Sequence, residues 1–180
     1  MSISKKLMTT GDTEAPYVDD VFSTYLYTGV GMAGDQNVVN GIDLDGEGGL
    51  VWIKNRTDVA DNTLIDSERG VSKILFSNAT TAESSTTWST SFNNDGFSFN
   101  TSSGYVSAVG EDYASWTFRK APNFFDVVTY TGTGTGTGER TINHNLGIAP
   151  GLIILKDTTV ASHWIVYHRD GTDTGNYKKN

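Results

Sequence analysis

The 180-residue chain contains no cysteine, which removes a disulfide framework, a thiolate nucleophile and a thiolate metal site together. Positive charge is also short, with 13 Lys and Arg against 21 Asp and Glu and a formal charge of −8. That balance argues against a broad electrostatic footprint on nucleic acid and against a polybasic membrane contact. No apolar run approaches the ~20 residues that cross a bilayer as a helix, so membrane insertion is not expected. Lys5 and Lys6 have no apolar core behind them, so the first residues do not read as a secretory signal. Sustained helical periodicity is missing as well. The apolar set reaches only 37%, below the roughly 45–50% of an average domain.

What fills the shortfall is a turn-rich mixture of Thr, Ser, Asn and Asp with 20 glycines, set beside four Trp, eight Tyr and eight Phe. Short aromatic strands joined by tight turns fit this composition better than disorder does. From Tyr17 onward the β signals recur. Val21, Phe22, Tyr25 and Tyr27 lead into Thr28-Gly29, and Val38-Val39 ends at Asn40-Gly41, a hairpin signal. Leu50–Ile53, Leu64-Ile65, Ile74–Phe76 and Phe97-Ser98-Phe99 follow, then Tyr105–Val109, the alternating Ala114 to Phe118 and the run Phe124–Tyr130. Regular short strands without helices between them predict an all-β fold, an antiparallel β-sandwich of jelly-roll-like form, with a barrel as the alternative.

An internal repeat organises the chain. Gly49-Leu50-Val51-Trp52-Ile53-Lys54-Asn55 returns as Gly151-Leu152-Ile153-Ile154-Leu155-Lys156-Asp157, an offset of 102 from Gly49 to Gly151. Upstream, Tyr27-Thr28-Gly29 matches Tyr130-Thr131-Gly132, and downstream the stretch from Thr63 to Gly70 matches that from Trp164 to Gly171. Units of roughly domain length follow: an N-terminal arm over residues 1–20, a β-sandwich unit over 21–129, and an incomplete second β unit over 130–180. The second copy stops where the first continues through several aromatics, so the natural chain is expected to be longer than these 180 residues.

Chemistry-bearing residues do not form a catalytic set. His163 and His168, five apart, would point to opposite faces of a strand, and His144 reads as a turn residue. Asp43, Asp45 and Glu47 alternate in a glycine-rich turn without the twelve-residue calcium-loop pattern. Asp66, Glu68, Asp95, Glu111 and Asp112 offer carboxylate pairs of the kind any acidic β protein has. Ser67 lacks the glycine frame of a nucleophile elbow, and the Gly132–Gly138 loop has no helix after it to bind phosphate. The expectation is no enzyme, no cofactor and no metal. Trp88 reads as a core residue rather than a sugar platform.

Several strings resemble tail-fibre-like virion proteins of marine bacteriophages, especially those of cyanobacteria. They include the run from Tyr17 to Tyr27, Gly48–Lys54, Asn93-Asn94-Asp95-Gly96-Phe97, Ser115–Pro122, Phe124–Gly132, Asn143-His144-Asn145-Leu146-Gly147 and Tyr167-His168-Arg169. The resemblance implies a structural protein of the virion tail, assembled in the host bacterial cytoplasm, built from repeats and forming a homotrimer. It implies an N-terminal end seated on tail proteins of adaptor or nozzle type, and a host surface receptor met by distal parts outside this chain. Within that picture the arm anchors the fibre through Ile3, Leu7, Val18 and Phe22, by backbone pairing and apolar contact. A carbohydrate-binding module on the particle surface is the alternative, and a depolymerase a third.

Overall fold

Short strands joined by turns, with alternating burial in several of them, make up most of this protein. The computed structural model describes residues 16–134 and 140–171. One helical turn, α1 (Val18–Val21), leads into β1 (Phe22–Thr28), β2 (Gln36–Val39), β3 (Gly49–Asn55), β4 (Thr63–Asp66), β5 (Lys73–Phe76) and β6 (Ser84–Ser85). They are followed by β7 (Ser89–Asn93), β8 (Gly96–Asn100), β9 (Asp112–Arg119), β10 (Leu152–Leu155) and β11 (Ile165–His168). The large sheet runs β1-β9-β3-β4-β5-β6 and the small one β2-β8-β7, all pairs antiparallel. β1 and β6 end the large sheet, so it is an open sandwich layer and not a barrel.

The core lies between the two sheets. β3 turns Val51, Ile53 and Asn55 inward, and β9 turns Tyr113, Ser115 and Thr117 inward beside them. From the small sheet come Val38, Phe97 and Phe99. Tyr27 joins the layers, stacked on Tyr113 at 5.1 Å and edge-on to Phe97 at 6.4 Å. Each fully buried large apolar side chain stabilises the fold by about 1.5–3 kcal/mol relative to exposure. Trp88 packs partly buried against this cluster and Tyr105.

Three expected strands or turns come out differently. Asn40-Gly41 does not make a hairpin: both N–H groups donate to Asp95 O, at 2.9 and 3.0 Å, and the chain crosses between sheets with Ile42 and Leu44 buried in the core. Tyr105–Val109 is a loop because Val106 and Ser107 both donate to Ser103 O, closing a turn. The run from Phe124 to Tyr130 holds only the single bridge Ala121↔Phe125.

The repeat is present at the level of hydrogen bonds. β3 pairs with β4 from Leu50↔Asp66 to Ile53↔Thr63, and β10 pairs with β11 from Leu152↔His168 to Leu155↔Ile165. Every partner is displaced by the same 102 positions as Gly49 and Gly151. Arg169 N donates to Gly151 O at 2.8 Å as Ser67 N donates to Gly49 O at 3.0 Å. Asn55 Oδ1 accepts from Thr57 N and Asp58 N, and Asp157 Oδ1 from Thr159 N and Val160 N. The constant offset places Ile165, not Trp164, in the position of Thr63. Trp164 instead donates Nε1–H to Phe76 O and Ala79 O at 3.1 and 3.0 Å, fastening the second hairpin to the first unit. Glu83 N to Thr158 O and Ser162 N to Thr80 O complete that seam.

The paired glycines differ in what surrounds them. A Cβ at Gly49 would collide with Phe118 O and crowd Arg119 Cα, both backbone atoms of β9, whereas at Gly151 the nearest atom is Arg169 Nη2 at 4.0 Å. Gly49→Ala is therefore expected to cost about 1–3 kcal/mol, and Gly151→Ala to stay within about 0.5 kcal/mol of the parent. Urea denaturation of the two variants measures the contrast.

Candidate docking surfaces

The strand order leaves particular backbone edges and apolar faces uncovered, and these are the surfaces with functional potential. β9 is clasped on both sides, from Phe22↔Phe118 to Thr28↔Asp112 with β1 and from Gly49↔Arg119 to Asn55↔Tyr113 with β3. On the far side of the large sheet from the core this brings Phe22, Leu26, Trp116, Phe118, Leu50 and Trp52 onto one face. Trp52 and Trp116 lie 5.7 Å apart, and Phe22, Phe118 and Phe125 form a chain of rings at 4.9 and 5.3 Å. Among the described residues β1 pairs with β9 alone, and Leu26 near the end of that edge strand is 63% exposed.

The second uncovered surface is the β10–β11 hairpin. Leu152, Ile153, Ile154 and Leu155 are all exposed, as are Ile165 and Val166. In the first unit the equivalent strand β3 buries one face in the sandwich core and has β9 along its edge. Among the described residues β10 has β11 on one edge only.

Of the anchor residues expected from sequence, Ile3 and Leu7 lie outside the described residues. Val18 opens α1 and is half-buried. Phe22 opens β1 with its ring against Phe118. Val21 between them is fully buried. Sequence reasoning did not mark the β1 edge or both faces of the second hairpin. The available signal was that neither Phe22–Thr28 nor Leu152–Leu155 contains a charge or a proline.

Polar groups elsewhere serve the architecture. Arg69, almost buried, is bound by Asp66 at 2.6 Å and Glu83 at 3.2 Å and donates to Leu64 O. Glu83 also faces Lys73 at 3.4 Å, and its backbone N–H forms part of the seam to the second unit. Lys120 holds Glu68 at 2.5 Å, a hydrogen bond that, helped by the carboxylate's charge, raises the lysine pKa. Asp43 Oδ1 caps its own turn through Asp45 N and Gly46 N. His144 Nδ1 accepts from Leu146 N, and His168 Nδ1 from Asp170 N, both at the surface. Among the described residues no three His, Asp or Glu side chains converge to hold a metal ion.

One buried network joins loops to the central strands. The Tyr113 hydroxyl accepts from Ala108 N at 2.9 Å and lies 3.1 Å from both Gly104 O and Glu111 Oε2. Asn55 Nδ2 donates to the same two oxygens, at 2.8 and 2.5 Å. Burial, then the Glu111 carboxylate, push Tyr113 from 10.0 up to about 12, although the Ala108 N–H opposes this, and burial raises Tyr27 as well. A group with a raised folded pKa holds its proton more firmly folded than unfolded, so its contribution is complete below pH 10 and lost as pH climbs to about 12. Urea midpoints are expected to hold up to pH 10 and fall beyond it. Tyr113→Phe should make that fall shallower, by up to about 1.4 kcal/mol per pH unit.

The fold and these surfaces define an antiparallel β-sandwich followed by a repeated hairpin, with its free strand edges as the exposed chemistry. Residues 18–178 match the model of the family described as Domain of unknown function (DUF7483), and the chain belongs to that family. No curated protein and no solved structure matches it.

Proposed function

We propose that the chain is a structural virion protein, the tail-proximal part of a bacteriophage tail fibre. Its arm joins the fibre to tail proteins of adaptor or nozzle type, and its β units form a trimeric stalk or collar that presents distal receptor-binding parts. The observation that carries this reading is the hairpin repeated at a constant 102-residue offset with the same register, turn and closing hydrogen bond. Repetition of one β unit builds length and spacing, the work of a stalk. The resemblance of Tyr17 to Tyr27 and of the later motifs to tail-fibre-like proteins points the same way.

In this reading Val18 and Phe22 sit at the root of the arm, where α1 enters β1. Residues 1–16 then contribute to attachment and not to the sandwich. A protein without them is expected to keep its thermal midpoint and to be lost from purified particles by at least tenfold on immunoblots. Normal incorporation would rule out residues 1–16, with Ile3 and Leu7, as the anchor. Glycan arrays on the same protein test the alternative, since a spacer shows no sugar preference and a carbohydrate-binding module does.

A further inference from the structure

We propose that residues 76–83 of the first unit are a one-way socket for the unit that follows in the chain, with Trp164 as its key, and that this joint holds the two units in one orientation. The joint belongs to the chain whether or not it serves a virion. Adjacent units of one chain hinge against each other unless the interface between them prevents it. Here four hydrogen bonds converge on one short loop. Trp164 Nε1–H donates to Phe76 O and Ala79 O at 3.1 and 3.0 Å, Ser162 N–H to Thr80 O at 2.8 Å, and Glu83 N–H to Thr158 O at 2.9 Å. The indole is half-buried at this seam. Its N–H can only donate, so a place beside two carbonyls suits it.

The socket is braced by its own unit. Arg69, almost buried, binds Asp66 at 2.6 Å and Glu83 at 3.2 Å, and Lys73 faces Glu83 at 3.4 Å. This group fixes the residue whose backbone N–H reaches Thr158 of the second unit. Charge-assisted bonds of this kind hold geometry better than neutral ones. The other side of the loop is held as well. Ser77 N–H donates to Asn62 O at 3.0 Å, Asn62 N–H to Asn78 Oδ1 at 2.8 Å, and Asn78 Nδ2 to Asp61 Oδ1 at 2.8 Å.

The repeat gives the joint its direction. The offset of 102 that relates Gly49 to Gly151 places Asn62 where the second unit has Trp164, and Arg56 and Ala60 where it has Thr158 and Ser162. The loop 76–83 is therefore gripped by two copies of one connection, residues 56–62 of its own unit and residues 158–164 of the next. Asn62 turns both backbone groups to the loop of its own unit. Trp164 instead extends its side chain to the loop of the unit before it. The first unit thus has the socket, and an asparagine where the second has the key. In repeated architectures the contact between neighbouring units sets their relative orientation.

Because the chain has no cysteine, introduced pairs of cysteines can carry spin labels without background. Ser91→Cys with Asp170→Cys spans the joint, Ser91→Cys with Val59→Cys lies within the first unit, and Val160→Cys with Asp170→Cys lies within the second hairpin. All four positions are exposed. Double electron–electron resonance should give one narrow distance for each pair. Trp164→Ala is expected to abolish the narrow peak of the spanning pair, leaving a broad distribution, and to leave the other two pairs unchanged. A broad distribution for the spanning pair in the parent protein overturns the proposal. So does a narrow peak that survives Trp164→Ala. Where alanine also broadens the hairpin pair, Trp164→Phe combined with Ser162→Pro takes its place, with the same outcomes required. That variant keeps a ring at 164 and removes three of the four crossing bonds.

Discussion

The clasp on β9 is the constraint on which the first unit depends. This one strand, late in the sequence, holds β1 from the beginning of the chain and β3 from the middle, and neither meets the other directly. Its inward residues Tyr113, Ser115 and Thr117 complete the sandwich core, and its outward Trp116 and Phe118 bind the rings on the opposite face. The hydroxyl of Tyr113 then ties the 104–111 loop to Asn55. Pairings across such long separations form only after the intervening loops close, so the first unit is a fold of high contact order.

The second hairpin shows what the same local sequence does with a different neighbourhood. A glycine, four apolar residues, a lysine and a short amide or carboxylate specify the hairpin, its register and its Asx turn in both places. They do not specify burial. Val51 and Ile53 are sealed by β9 and the small sheet, while Ile153 and Leu155 stay exposed. Local structure here is set by turn chemistry and alternation, and burial by which strand lies alongside.

Fold class was legible because period-two alternation and turn residues act locally. Leu50–Ile53, Phe97-Ser98-Phe99 and Ala114 to Phe118 all became strands. Pairing order was not legible, since nothing in β1 or β3 names β9 as their shared neighbour. Asn40-Gly41 misled because a turn dipeptide fixes a bend and not which strand follows it, and here the bend carries the chain across the core. Tyr105–Val109 misled because serine at 103 offers its carbonyl to two N–H groups in succession, and a β-branched sequence then closes a turn. In the downstream half of the repeat the closing glycines, 70 and 171, suggest a register one residue away from the true strand pairing, because the second copy has one residue fewer between its last strand and its glycine. For the candidate surfaces, Val18 and Phe22 were visible as apolar residues near the arm, but exposure of the β1 edge follows from strand order alone.

Two uncharged edges in one chain have a physical consequence. An exposed row of backbone donors and acceptors flanked by apolar side chains attracts any extended segment, and most proteins interrupt such rows. This chain places its charges at the ends of β1 and β10 instead of within them. Charges at the ends of a strand do little to prevent pairing along its length, so both edges keep the capacity to take a further strand.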